Sequence, residues 1–494
     1  MTAAIDPRTP VLVGAGQFIQ RPDDLGDAIE AIEAMTVALE RAAGDAGARS
    51  LLGAATAIRV ARGAWPYSDP GRLLAERFGA TAAVTGLSAN GGNTPQSMVN
   101  LTAAQIADGT HDIVLLVGAE TIWTRRRIRR TGGTYAYTEQ ENVEPDEMLG
   151  AEVTMSGETE MARGFEAPVN FYPTFESAIR ASRHETIPEH RGRISRLWER
   201  FNRVAVANPY AWMREPMTAE EICEPSPGNR MIGFPYTKAM NSNWDLDQAA
   251  GLILCSVEAA ERHGVARDRW VFPWAGTDGH DTYLVSNRWA LDESPAMRTA
   301  GRRALELAGV GVDDLAHVDL YSCFPSAVQI SASELGLGED RPLTVTGGLT
   351  FAGGPLNNYV MHSIATMAGR LREDAGAVGL CSANGGYVTK HAFGIYSTEP
   401  PPSGGFAHED CQAEIDRFPT RELAADHAGP VTIEAYTVMH DPDGPRQALF
   451  ACRLDDGRRQ WANSTDADLM RAVMETEYIG AAAEVTREFT LELT

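Results

Sequence analysis

The sequence predicts an α/β protein of two similar halves followed by a small all-β domain, and three observations carry that prediction. Gly91-Gly92-Asn93-Thr94-Pro95-Gln96 opens a helix with Met98, Leu101, Ala104 and Gln105 three to four apart. Gly109 closes it, and residues 113–117 form an unbroken apolar strand that leaves on Gly118. The same unit returns late in the chain. Gly353-Gly354-Pro355 opens a helix carrying Val360, Ile364, Met367 and Leu371 on one face, and an apolar strand over 377–381 runs into Gly385-Gly386. Finally, beyond the Pro- and Gly-rich run at 399–405, short strands alternate with turns such as Asp441-Pro442-Asp443-Gly444.

Each element has a local reason. Pro95 falls at the start of its helix, where its missing N–H costs nothing, and Asn93 or Thr94 can cap the first turn. Earlier, 11–13 reads as a strand followed by a Gly14-Ala15-Gly16 turn, 27–46 as an Ala-rich amphipathic helix, 57–61 as a short strand and 73–78 as a helix. Such alternation predicts a buried, mostly parallel or mixed sheet covered by helices. From 121 to 243 the texture changes to Arg, Glu, Pro and aromatic residues, with helical patterns over 175–185 and 193–207. This reads as a lobe inserted between strands, of the kind that carries binding surfaces. Residues 246–261 read as a helix, or as a strand leading into one, and 278–289 as polar loop. Residues 296–308 form a helix, 318–320 a strand ending at Tyr321-Ser322-Cys323-Phe324-Pro325, and a further helix runs to Leu335. Strands follow at 431–438, 447–454, 459–462 and 488–493, a small antiparallel barrel or sandwich.

A formal net charge of −24 repels nucleic acid and anionic lipid, so neither is an expected partner. An anionic ligand needs a local basic patch, and Arg125-Arg126-Arg127-Ile128-Arg129-Arg130 is one: either a solvated loop or a docking site for a multiply charged phosphate. Six widely spaced cysteines without a C-x-x-C pair argue against structural zinc and fit a reducing cytoplasm. Neither a leader nor an apolar run of membrane-spanning length is expected.

In their order, these motifs resemble the thiolase superfamily over residues 8–398. Residues 102–109 and 113–120 resemble the helix and strand after the thiolase nucleophile. Ala207-Asn208-Pro209-Tyr210-Ala211 and Asp247-Gln248-Ala249-Ala250-Gly251 resemble the sterol-carrier-protein thiolase branch, and Gly353-Gly354-Pro355 stands where that family has Gly-His-Pro. The resemblance implies two thiolase halves in α/β/α/β/α layers and no bound cofactor. It also implies a coenzyme A thioester as ligand or substrate, reached through the lobe, and a homodimer by default, with a monomer as the alternative. The expected boundaries are 1–120 with 244–255 for the first half, 121–243 for the lobe, 256–398 for the second half, 399–429 for a linker and 430–494 for the barrel.

The residues that would run ordinary thiolysis are missing. The resemblance puts Gly92 at the reactive cysteine, Gly354 at the histidine of Gly-His-Pro and Tyr321 at the His or Asn that begins the family's next motif, with Cys323 and Phe324 retained. Ala383 takes the place of the second cysteine, two residues after Cys381. A thioester intermediate on the enzyme requires a thiolate, so the usual covalent route is not expected. What remains are backbone donors at Gly91, Gly92, Gly385 and Gly386 for an oxyanion, with Tyr321, Tyr387 and His391 as candidate acid/base groups. The arginines at 125, 126, 127, 129 and 130 remain as candidates for the coenzyme A phosphates. Three readings stay open: acyl-CoA binding with acid/base C–C cleavage of retro-aldol type, a non-catalytic acyl-CoA- or protein-binding module, and acyl transfer through another nucleophile such as Thr94 or Ser97.

Overall fold

The computed structural model describes residues 5–494, and it contains three sheets. Strands β1 (Pro10–Ile19), β2 (Ala57–Val60), β3 (Val84–Ser88), β4 (Ile113–Thr121), β5 (Glu147–Leu149) and β6 (Asp247–Ser256) form the first, in the order β1-β6-β4-β2-β3-β5. Around β2 the pairing is parallel, whereas β6 lies antiparallel between β1 and β4. The second sheet takes β7 (Phe272–His280), β8 (Leu315–Asp319), β9 (Val378–Gly385), β10 (Lys390–Ser397) and β11 (Ala407–Asp410), in the order β8-β9-β10-β7-β11.

Helix α1 (Ala31–Asp45) covers the outer face of the first sheet, and α2 (Thr94–Asp108) lies between the two sheets. Outside the layers sit the basic helix α3 (Ile122–Arg130) and the lobe helices α4 (Pro168–Ser182) and α5 (Ile187–Ala207). Helices α6 (Pro295–Ala308) and α7 (Pro325–Leu335) serve the second half, and α8 (Tyr359–Glu373) joins α2 in the middle layer. The result is a mixed α/β thiolase-type fold with an additional C-terminal β-sheet domain, as the motif order implied.

Burial on every side explains why α2 carries polar residues inward. Gln96 donates to Asn100 at 2.8 Å and accepts from Tyr396, while Asn100 donates to Asp278 at 2.8 Å. Gly276 and Gly394 make this possible, because a Cβ on either would lie 2.2 and 2.4 Å from the Asn100 and Gln96 side chains. Close approach is also the role of Gly14 and Gly16. They lie within β1 rather than in a turn, and a Cβ on each would strike the Ala42 and Ala38 carbonyl oxygens of α1.

Several local readings change in the same way. The arginine run, open between a solvated loop and a docking site, is a helix; of the two readings of 246–261 the strand leading into a helix holds, with the strand over 247–256 and the helix over Val257–Arg262; and β7 extends to His280. The stretch expected as a linker contributes β11, parallel to β7 at the sheet edge. At the opposite end of the molecule β5, from the lobe, pairs with β3 and closes that edge of the first sheet.

The third sheet orders β12 (Gly429–Asp441), β13 (Gly444–Arg453), β14 (Arg459–Ser464), β15 (Ala482–Val485) and β16 (Leu491–Leu493) as β14-β13-β12-β15-β16, with one parallel bridge from Asn463 to Thr490. The hairpin Met231–Gly233/Tyr236–Thr237 of the lobe joins it through Gly233 opposite Met439. Arg459 pairs with Glu434 at 2.7 Å and donates to the carbonyls of Val285, Ser286 and Arg288, while Arg180 of α4 pairs with Glu477 at 2.7 Å. Fully buried guanidiniums satisfied across the seam fix the domain to both the lobe and the second half.

Inside the lobe, buried Glu176 accepts from Tyr236 at 2.5 Å and Gln329 at 2.6 Å and contacts His190 at 2.6 Å. Burial pushes its pKa up, but the bonds from His190, Tyr236 and Gln329 outweigh it and hold the carboxyl below its usual range. A depressed folded-state pKa stabilises the fold above the unfolded value, and the contribution is lost as pH falls through the folded pKa. Glu176→Gln is expected to lower stability at neutral pH and to flatten the acid decline below about pH 4.5, as read by urea melts across pH.

Candidate active site

Tyr321 follows β8 and points into a cavity of 770 Å³ between the two halves and the lobe. Buried Asp319 anchors this strand end by accepting from Thr344, from the Val345 N–H and from Tyr359. The Tyr321 ring meets Tyr359 edge-on at 5.5 Å, and burial pushes its phenol well above its ordinary pKa. Among the described residues its hydroxyl has no protein hydrogen-bond partner, although buried tyrosine hydroxyls usually find one.

That hydroxyl occupies a particular place. A Cβ built on Gly92 would lie 2.2 Å from Tyr321 Oη and 2.5 Å from the Asn384 carbonyl oxygen. The phenol therefore fills the space a side chain at position 92 would enter. Similarly, a Cβ on Gly354 would lie 2.3 Å from Ser242 Oγ, so a serine from the lobe stands where a side chain at position 354 would begin. Both glycines are steric requirements of this arrangement.

Of the four glycines expected as backbone donors, all line the cavity but they differ in what is free. The Gly91 N–H is taken by Asn357 Oδ1 at 2.9 Å, and Gly385 ends β9 opposite Lys390. The N–H groups of Gly92 and Gly386 have no partner among the described residues. Asn384 adds an amide: its Nδ2 donates to Tyr172 at 3.0 Å, while its buried Oδ1 is unpartnered.

Tyr387 and His391 lie outside this cavity. The Tyr387 ring stacks on Phe171 at 4.3 Å and its hydroxyl bonds Ser156 at 3.2 Å. His391 is buried in β10 beside Ser294 and Asp281, both at 3.4 Å from Nε2. His391 shares a sheet face with its cross-strand partner Asn384 but lies further along it, where Asp281 and Ser294 at the start of α6 enclose its ring, and it is not among the residues lining the cavity. Cys381 is likewise in the core, accepting from Ser363 at 3.4 Å. Cys323 does line the cavity, but burial pushes its thiol up to about 12, against weaker opposing hydrogen bonds. It is the wrong protonation state for a nucleophile at neutral pH.

A second cavity, of 840 Å³, meets the first at Ser242 and Trp244. Its lining includes Arg21, Arg126, Arg127, Arg130, Arg230 and Lys238, against the single carboxylate of Asp245. Arg127 stacks on Trp123 at 3.7 Å, and its buried Nη1 has no partner. Helical geometry splits the arginine run: Arg125 turns inward to the Ala64 carbonyl and Tyr137, and Arg129 is exposed outside the cavity, so three of the five candidates share it.

The architecture matches, over 99% of this chain and 100% of the other, the crystal structure of a monomeric SCP2-thiolase-like protein type 1 from Mycobacterium smegmatis, with 32% identity and a TM-score of 0.84. The chain belongs to the type 1 thiolase-like proteins of the thiolase superfamily. Residues 410–490 match the family described as the thiolase-like protein type 1 additional C-terminal domain. A Pseudomonas putida beta-ketoadipyl-CoA thiolase is 30% identical over 146 residues, a stretch spanning 29% of this chain and 34% of that protein. The Ltp2–ChsH2(DUF35) aldolase shares the fold at 16% identity and a TM-score of 0.59, over 80% of this chain and 99% of that one.

For a type 1 thiolase-like protein, then, the site consists of a phenol, two free N–H groups and an amide above an apolar floor of Val153, Met155, Phe324 and Leu349. Glu152 at the mouth is already engaged by Asn90 N–H at 2.9 Å. The tyrosine was legible from motif order; Asn384 and Ser242 were not, since each enters from a different segment and neither has a local pattern.

Proposed function

We propose that this protein binds an acyl-CoA thioester without forming a covalent thioester to itself. The observation that carries the reading is the Tyr321 hydroxyl lodged 2.2 Å from where a nucleophile's Cβ would sit, since it replaces a thiol with a hydrogen-bond donor. Facing it, the Gly92 N–H is free to complete an oxyanion hole for the thioester carbonyl. The acyl group lies on the apolar floor, the pantetheine arm passes Ser242 and Trp244, and the phosphates meet Arg126, Arg127 and Arg130. The curated thiolase relative, named for a CoA thioester, supports the same ligand class.

Tyr321→Phe tests this. Because the hydroxyl has no protein partner, folding stability is expected to change little, while affinity for acetyl-CoA falls about tenfold, the worth of one hydrogen bond near 1.4 kcal/mol. Affinity for free coenzyme A stays unchanged. Calorimetry showing no binding of either ligand to the wild type ends the proposal.

A second reading, retro-aldol cleavage of a 3-hydroxyacyl-CoA, is favoured by the unpartnered Asn384 Oδ1, which can accept the substrate hydroxyl beside Tyr321. Release of an aldehyde or ketone from such substrates, lost in Asn384→Ala, supports it.

We also propose a monomer. The three-residue strand β5 covers β3, so β3 keeps no free ladder groups for a second copy, and the solved relative is described as monomeric. Light scattering is expected to give the mass of one chain, with self-association appearing when residues 143–150 are replaced by a short Gly-Ser loop.

A further inference from the structure

Lysine is nearly absent from this chain. Of its 43 basic residues two are lysine, Lys238 and Lys390, and the other forty-one are arginine. Arginine supplies charge and phosphate recognition equally well, so composition alone gives no reason to keep an amine. Yet each lysine lies against one of the two cavities, Lys238 in the lining of the basic one and Lys390, the first residue of β10, behind the wall of the other.

The Lys390 side chain threads between two glycines. A Cβ on Gly91 would lie 3.0 Å from its Cε and 2.8 Å from its Nζ, and a Cβ on Gly385 would lie 3.2 Å from its Cε. The amine donates to the Asn90 carbonyl oxygen, with Glu152 as its neighbouring carboxylate. Asn90, Gly91 and Gly385 all line the cavity, so the amine lies directly behind its wall. Rotation about the last bonds of the side chain takes the amine off the Asn90 oxygen.

We infer that Lys390 is an acyl acceptor, taking the acyl group of the bound thioester onto its side-chain nitrogen. This rests on the acyl-CoA reading above. The neutral amine attacks the thioester carbonyl, the Tyr321 hydroxyl and the Gly92 N–H hold the oxyanion, and the C–S bond breaks. The one proton the nitrogen loses is taken up, by way of solvent, by the departing sulfur, so that coenzyme A leaves as the thiol and an amide remains on Lys390. Amides are not reversed by water at a useful rate, so the event is a single modification rather than turnover. It marks a chain that has met acyl-CoA. Burial lowers the pKa of this amine, which enlarges the neutral fraction available for attack, with Glu152 opposing.

The test incubates the full chain with acetyl-CoA and maps acetylation at the two lysines by mass spectrometry. Lys238 is exposed and serves as the internal control for unassisted chemistry. Lys390 is expected to acquire its acetyl group at least about tenfold faster than Lys238, and excess desulfo-coenzyme A is expected to suppress the reaction. Tyr321→Phe is expected to slow it. Equal labelling of the two lysines, or labelling of Lys238 alone, overturns the inference, as does no labelling when calorimetry shows acetyl-CoA bound. If acetyl-CoA does not bind, an N-acetylcysteamine thioester lacking the nucleotide separates the two claims. Selective labelling of Lys390 by it supports the acceptor and rejects the coenzyme A site, and its failure rejects both.

Discussion

Gly92→Cys yields no thiolase. The variant is expected to be destabilised by about 2–4 kcal/mol, in the range for an overpacked buried site, and to show no thiolysis of acetoacetyl-CoA. The new Cβ would meet the Tyr321 hydroxyl at 2.2 Å and the Asn384 carbonyl at 2.5 Å. Tyrosine can swing, but the carbonyl belongs to the end of β9 and cannot move without breaking its pairing with β10. Removing the phenol as well, in Gly92→Cys with Tyr321→Asn, is therefore expected to recover only part of the lost stability. Nor does it supply a base, since no histidine lines the cavity among the described residues and Gly354 is closed off by Ser242 Oγ. Urea melts and a thiol-release assay read both outcomes. Thiolysis by the single variant would show that the phenol does not exclude the older chemistry.

The double variant Arg126→Ala with Arg127→Ala is expected to weaken coenzyme A binding by roughly a hundredfold, two charge-assisted contacts at about 1.5 kcal/mol each. Dephospho-coenzyme A is expected to lose less, because one phosphate is already missing, and salt is expected to narrow the gap because exposed charges are screened. Arg125→Ala gives the contrasting result. Its guanidinium caps the Ala64 carbonyl and touches Tyr137 at 3.1 Å, so its loss lowers stability and leaves affinity nearly intact. Calorimetry at two salt concentrations separates these cases. Equal losses for Arg125 and for the Arg126/Arg127 pair would mean that the run acts as a diffuse field and not as a site.

The repeated glycine–helix–strand unit was legible because each copy packs the same way, with a helix buried between sheets and an apolar strand beside it. Periodicity survives in such elements. It misled where a residue's role comes from a neighbour far away in sequence. Gly14 and Gly16 read as a turn, yet they serve the approach of α1; the arginine run read as loop, yet Ile122, Thr124 and Ile128 give it a helix with an inner side. Tyr387 and His391 were plausible because they follow the glycine loop, but stacking on Phe171 holds the one, and Asp281 with Ser294 encloses the other, away from the cavity.

By itself the sequence determined the architecture, because motif order is a one-dimensional property that is visible without coordinates. Which groups face one another was decided only by the tertiary structure. Tyr321 against Gly92, Ser242 against Gly354 and Lys390 against Gly91 are contacts across at least 112 residues of chain. Local propensity carries no term for such distances, and they are set when two sheets and a lobe close on one another.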